Sequence, residues 1–282
     1  MSDILVELTC ARRADAAARE TEIPFAEMVR RALSAPAPRD FAGAFRRGAG
    51  TAPRIISELK KASPSEGMIR PDFRPRELAR ELADAGAAAL SVLCEPHRFL
   101  GAEEYLAAAR AEVDMPILYK DFVSTRYQVA AARAAGADAV LLIAAVLDDE
   151  TLSDLLSFAR EMGLRALVET HDEAEIARAV ACGAGIVGVN CRNLRNFATD
   201  VSLLERLVGL VPSECVRIAE SGMHTAEAIA RAAAAGADGF LVGTAIMRDP
   251  HPGRKLAELM ACPSPEYATS VRLERFDNTK RQ

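Results

Sequence analysis

Four times along the chain an alanine-rich, helical stretch ends in glycine and runs directly into a short apolar segment. The four are ADAGAAALSVL (83–93), RAAGADAVLLI (133–143), AVACGAGIVGVN (179–190) and AAAAGADGFLVG (232–243). The glycine suits the left-handed residue that closes a helix, and the segment after it suits a strand buried on both faces. Gly86, Gly136, Gly183 and Gly236 lie 50, 47 and 53 residues apart, too far for one β/α unit and right for two. Each interval supplies a second strand candidate, at 116–122, 165–170 and 216–221, and the run at 54–60 makes eight. Eight strands alternating with helices predict an α/β fold of one kind, a single (β/α)8 TIM barrel with an N-terminal helical extension. A doubly wound open sheet is the competitor. GAGIVG (183–188) matches a dinucleotide-loop pattern but precedes its strand, whereas such a loop must follow a strand and open a helix. No G-x-x-x-x-G-K-S/T segment occurs.

The barrel is expected over residues 51–260. Residues 1–50, with an amphipathic stretch at 5–20 and a second helical candidate at 25–33, read as an extension packing on it. Residues 261–282 read as a polar, poorly ordered tail. A net charge of −5 offers no footprint for nucleic acid or an anionic membrane. The longest apolar run, 139–147, is about half a membrane span, and the first ten residues lack a secretory pattern. The expected location is therefore cytoplasmic. Six cysteines without C-x-x-C read as reduced, apolar-like thiols, and four histidines without ligand spacing predict no metal site.

Ionised side chains inside barrel strands are costly unless paired or functional. The C-terminal ends of the predicted strands nevertheless carry Glu58 and Lys60, Lys120, Glu169 and Glu220, with Asn190 and Ser221 at equivalent positions. Residues two apart on a strand share a face, so Glu58 and Lys60 can point together into the barrel mouth, the end where such barrels build active sites. The last two strands end instead in Ser221-Gly222 and Gly243-Thr244. Small residues there let backbone N–H groups approach an anion, and the loops after strands seven and eight are the usual phosphate site.

With their flanks, these residues closely resemble the indole-3-glycerol-phosphate synthase family. The resemblance runs in order from about residue 40 to 250 through IISELKKASPSEGMI (55–69), SVLCEPHRFLG (91–101), PILYKDF (116–122), LVETHD (167–172), GVNCRNL (188–194), IAESGM (218–223) and FLVGTAIM (240–247). It implies a carbon–carbon lyase of tryptophan biosynthesis that uses neither metal nor organic cofactor. Its substrate would be 1-(2-carboxyphenylamino)-1-deoxyribulose 5-phosphate, closed to indole-3-glycerol phosphate with loss of carbon dioxide and water. On the same resemblance, Lys120 is the general acid at the substrate carbonyl, and Lys60, steadied by Glu58, binds the departing carboxylate and supports dehydration. Glu169 is the base that completes dehydration, with Asn190 beside it. Ser63, Pro64, Phe99, Phe122 and Leu141 line the anthranilate end, and Ser221, Gly222, Gly243 and Thr244 hold the phosphate. Arg192 and Glu220 complete the polar lining.

Cys94 stands where the family frequently has threonine, and Ala102 where serine or glycine is usual. Both predict a tuned loop and retained activity. The family's aromatic cover over the anthranilate ring falls here to Phe25 or to an aliphatic residue, since the chain has no tryptophan. The apolar setting is expected to lower the lysine pKa values toward usable acidity. A small phosphorylated substrate is the expected partner, the chain being a monomer or weak dimer, with contact to other tryptophan-pathway enzymes left open. Two rivals share the barrel and the phosphate site: a Schiff-base aldolase using Lys120 as nucleophile, and a non-catalytic, phosphate-sensing barrel.

Overall fold

A computed structural model describes residues 3–45, 52–192 and 201–261. Eight parallel strands close a barrel: β1 (Ile55–Leu59), β2 (Ala89–Leu93), β3 (Ile117–Lys120), β4 (Ala139–Ile143), β5 (Arg165–Thr170), β6 (Ile186–Asn190), β7 (Val216–Glu220) and β8 (Gly239–Val242). Each pairs with its neighbours in chain order, and β1 closes the ring against β8, with Ile56 opposite Leu241. The helices are α1 (Asp3–Glu22), α2 (Phe25–Ser34), α3 (Pro75–Asp84), α4 (Glu103–Arg110), α5 (Arg126–Ala134), α6 (Asp149–Glu161), α7 (Glu173–Ala181), α8 (Val201–Val208), α9 (Ala226–Ala234), α10 (Thr244–Arg248) and α11 (Pro252–Met260). A two-residue antiparallel hairpin, Ala62–Ser63 against Gly67–Met68, follows β1 and has no counterpart in the sequence reading.

The repeated glycines stand at the helix-to-strand junctions leading into β2, β4, β6 and β8. Their φ values run from +88° to +105°, a region that a side chain makes costly. In each case the following alanine donates its N–H back into the helix, as Ala137 does to the carbonyl of Ala132 and Ala237 to that of Ala232. This is the bond pattern of a Schellman closure. Two of the repeats carry aspartate next. Asp138 Oδ2 accepts from the N–H of Ile117 at 2.7 Å, and Asp238 Oδ2 from that of Arg217 at 3.0 Å. The residue that opens an even-numbered strand thereby fastens the first turn of ladder of the strand before it.

Alternation along the strands sorts the interior. Ile56, Leu118, Leu167, Ile186 and Ile218 face inward and pack together with Phe41 and Phe45, whose rings lie 5.2 Å apart and close the floor. Tyr119, Val140, Val168 and Val187 face outward to the helices. Two residues above the inward row come Glu58, Lys120, Glu169, Gly188 and Glu220, so a period of two carries the apolar core directly into a polar layer at the mouth.

The extension spans the barrel's height. At the mouth, Arg12 of α1 holds Asp121 at 2.7 Å, and at the floor the N–H of Arg39 donates to Asp138 Oδ1 at 2.7 Å. Ile4, Leu5 and Leu8 of α1, all aliphatic, line the mouth. Phe25 instead packs against Phe158 at 5.8 Å, on the outer helical layer. α1 starts at Asp3 and runs to Glu22, longer at both ends than the amphipathic stretch read from sequence. The tail expected over 261–282 lies, Ala261 apart, outside the described residues. Cys94, Cys191 and Cys215 are buried. Among the described residues no helix is long and apolar enough to cross a membrane, and no His/Cys/Asp/Glu group could hold a metal ion.

Candidate active site

A cavity opens at the C-terminal end of the barrel, and every residue given a catalytic, substrate or phosphate role in the sequence reading lines it, whereas Phe25 does not. Its charged layer is built from strand ends. Lys120, the last residue of β3, places Nζ 3.2 Å from Glu169 Oε2 and 3.3 Å from Glu220 Oε2. Lys60, just past β1, pairs with Glu58 at 2.7 Å. Glu169 Oε1 accepts from Asn190 Nδ2 at 3.1 Å, and Asn190 Oδ1 accepts in turn from Ser221 Oγ at 2.8 Å and from the N–H of Arg192 at 3.1 Å. Arg192 Nη1 donates to Ser65 Oγ at 3.0 Å, joining the loop after β6 to the hairpin after β1. Ser63 and Pro64, on that hairpin, form one side of the opening.

Apolar walls face this layer. Phe99 and Phe122 meet with ring centroids 6.2 Å apart beside Leu141, giving a slot for a flat ring. Across the cavity, Ser221 and Gly222 both take positive φ, +64° and +73°, and Gly243 leads directly into α10 at Thr244. A non-glycine residue held in the left-handed region is strain kept by the surrounding structure.

Two glycines make the charged layer fit. A Cβ at Gly188 would collide with Glu220 Oε1, and one at Gly243 with Glu58 Oε2 and Lys60 Nζ. Each carboxylate therefore lies flat on bare backbone of a neighbouring strand. In sequence Gly243 was read for the phosphate alone, and Gly188 was not singled out.

The electrostatics reverse one expectation. Burial pushes the Lys120 pKa down, but Glu220, Glu169 and Glu58 together outweigh it and raise it well above the usual lysine value. Burial also opposes ionisation of Glu58 and Glu169. Lys60 and Lys120 overcome this at Glu58, and Lys120 with His171 at Glu169, so both stay below the ordinary carboxylate range. Glu220 goes the other way: burial and the adjacent Glu169 raise it more than Lys120 lowers it. The mouth thus holds Lys120 as a cation, two carboxylates that stay ionised, and a third that readily takes a proton.

A profile of the indole-3-glycerol phosphate synthase family matches residues 5–259. The chain belongs to that family. Indole-3-glycerol phosphate synthases of Rhodospirillum rubrum and Laribacter hongkongensis are 45% and 46% identical to it, covering 92% and 93% of this chain and 100% of each relative. That of Acidithiobacillus ferrooxidans is 46% identical, over 92% of this chain and 99% of its own. Among solved structures, a thiamine phosphate pyrophosphorylase from Pyrococcus furiosus superposes with a TM-score of 0.57 at 17% identity, covering 74% of this chain and 94% of its own. A mandelate oxidase variant does so with the same TM-score and identity, over 88% of this chain and 91% of its own. At such identities the likeness is one of barrel architecture alone. The chain is accordingly an enzyme of the synthase family, acting in tryptophan biosynthesis on a phosphorylated small molecule.

Sequence reasoning missed two supports of this site. Glu95, buried after β2, accepts from three successive N–H groups, those of His97, Arg98 and Phe99, at 2.6, 2.8 and 2.9 Å. It thereby shapes the loop that presents Phe99. His171, one residue past β5, stands 3.3 Å from Glu169 Oε1. Its position directly after the strand that carries Glu169 was the available signal.

Proposed function

We propose that the mouth closes the indole ring of 1-(2-carboxyphenylamino)-1-deoxyribulose 5-phosphate by lysine and glutamate acid–base chemistry. The single observation behind this reading is that Lys120, braced by two carboxylates, shares one cavity with the Lys60–Glu58 pair, an aromatic slot and a strained small-residue cradle. The substrate's phosphate sits at Ser221, Gly222, Gly243 and Thr244, and its aromatic ring between Phe99, Phe122 and Leu141, under Leu5 and Leu8.

The aromatic carbon bearing the carboxylate attacks the ketone carbon, and negative charge grows on the ketone oxygen. Lys120 meets that charge and donates a proton to it. A raised pKa suits this task, because an alkoxide is a still stronger base and a fixed ammonium in a water-poor site stabilises the charge before transfer is complete. Loss of carbon dioxide beside Lys60 restores the aromatic electrons. Glu169 then takes a proton from the ring while the hydroxyl leaves as water with a proton from Lys60. Substrate thereby becomes product, carbon dioxide and water. Glu58 holds the Lys60 ammonium in place, Asn190 aligns Glu169, and Arg192 pins the hairpin carrying Ser63 and Pro64 over the site.

A nucleophilic lysine works through its neutral amine, so the carboxylates around Lys120 weigh against a Schiff-base aldolase. Borohydride treatment with substrate checks this and should leave no adduct at Lys120. The reading takes the chain to act as a monomer or weak dimer in the cytoplasm. The direct test is indole absorbance appearing from the carboxyphenylamino sugar phosphate with wild type and with Lys120→Met. Turnover by wild type and its collapse in the variant are expected; equal rates would remove Lys120 from the chemistry.

A further inference from the structure

Two carboxylates, Glu169 and Glu220, lean on the same ammonium at nearly equal distance, yet a base needs one of them reliably free of its proton. Their other oxygens differ. Glu169 Oε1 accepts a hydrogen bond from Asn190 Nδ2 at 3.1 Å and has His171 Nε2 at ion-pair distance, 3.3 Å, outside hydrogen-bond geometry. Glu220 Oε1 is buried against Gly188 and has no hydrogen-bond partner among the described residues. The remaining face of His171 is held as well. Its Nδ1 lies 3.2 Å from Glu175 Oε2, an oxygen that also accepts from the His171 backbone N–H at 2.8 Å.

This hold is a by-product of how α7 begins. Asp172 is the N-cap and accepts from the N–H of Glu175 at 2.8 Å, while Glu175 reaches back to residue 171. The reciprocal capping bonds fix the backbone at the strand-to-helix corner, and with it the direction of the imidazole. The chain Glu175, His171, Glu169, Lys120 then alternates in sign from the helix start into the cavity.

Resting on the proposed ring closure, we infer that His171 is a positioning residue for the reaction. It carries positive charge to the Oε1 edge of Glu169 and so decides which of the two neighbouring carboxylates serves as proton acceptor. The groups facing it are Glu169 from β5 and Glu175 from α7, with Asn190 on the same Glu169 oxygen and Lys120 on the other. Burial works against its charge, but the two glutamates outweigh it and push the imidazole up to about 10, so it stays charged at neutral pH. Without it Glu169 would resemble Glu220, and the proton would be shared between them. His171 touches no reacting atom in this scheme; it acts through Glu169.

The test is the pH dependence of kcat for indole formation in wild type, His171→Asn and Glu175→Gln, with circular dichroism confirming that each variant is folded. An essential base sets the acid limb of such a profile. Removing an opposite charge at this range raises a carboxyl pKa by about 1 unit or more, so His171→Asn should move the acid limb up by that amount, with KM within about threefold of wild type. Glu175→Gln should move it the same way by less, and it serves alone if His171→Asn does not fold. Acid limbs that coincide with wild type in the folded variants, whatever the loss of rate, would overturn the assignment. Failure of wild type itself to form indole would overturn the reaction and leave a different signature, since no profile would exist to shift.

Discussion

The two rims of the barrel bury carboxylates in opposite circumstances. At the floor, Asp138 is 1% exposed and both of its oxygens are engaged, Oδ2 by Arg110 Nη2 at 2.8 Å and the N–H of Ile117, and Oδ1 by the N–H of Arg39. At the mouth, Glu220 is equally buried, but one oxygen faces Lys120 and the other has no hydrogen-bond partner among the described residues. Beside it Ser221 sits in the left-handed region. The floor carboxylate is satisfied on both oxygens before any ligand arrives, and the mouth carboxylate is satisfied on one. Conserving fold at one end and readiness at the other is how a barrel separates stability from chemistry.

That contrast predicts a double dissociation. Lys120→Met should cut turnover by at least about 10³-fold, at the upper part of what a general acid contributes, in a steady-state indole assay. Asp138→Ala should instead leave turnover per folded molecule nearly unchanged. Its cost, read by urea unfolding, should be about 3 kcal/mol, because the Arg110 guanidinium and two buried N–H groups lose their acceptor. An equal loss of activity in the floor variant would erase the distinction between the rims.

A gentler probe adds one methyl group at the mouth. Gly188→Ala puts carbon where Glu220 now lies, and a displacement of about 1 Å next to Lys120 can cost on the order of 10²-fold in kcat. Thermal unfolding close to wild type would confirm that the damage is local. Next comes a pH effect on stability. The His171 pKa is raised from 6.5 to about 10 on folding, so its stabilising contribution is complete below pH 6.5 and is lost as pH climbs through 10. Wild type should lose stability across that window by up to about 1.4 kcal/mol per pH unit, a slope His171→Asn should lack. The smallest effect is expected for Ser221→Gly, which relieves the positive φ. It should gain roughly 0.5–1 kcal/mol in unfolding free energy while weakening substrate binding through loss of the hydroxyl bond to Asn190.

The floor was more legible in sequence than the mouth. Backbone rules are local and carry one residue per role, so Gly86, Gly136, Gly183 and Gly236 marked four junctions, and the strands fell within two residues of their predicted ends. The lysines and glutamates at the strand ends were legible because charge in an apolar strand is anomalous in itself. Partnerships were not. Nothing local pairs Lys120 with Glu220, 100 residues away, or makes Gly188 the bed for a carboxylate on the next strand. The lysine pKa was misjudged for the same reason: desolvation can be read from apolar neighbours in sequence, but three converging carboxylates can be seen only in space. Phe25 was an equally fair candidate for the ring cover until α1 carried Leu5 and Leu8 over the mouth and α2 turned Phe25 outward.

The stitches that hold the extension, Arg12 to Asp121 and Arg39 to Asp138, have a temporal consequence. Their partners are 109 and 99 residues downstream. On a ribosome adding about 5–20 residues per second, the first two helices would emerge and stay undocked for roughly 5–20 s before either acceptor exists. During that interval the apolar face bearing Leu5, Leu8 and Met28 has no barrel to cover it. The segment that later roofs the active site thus stands finished and undocked until the third and fourth strands of the barrel have been made.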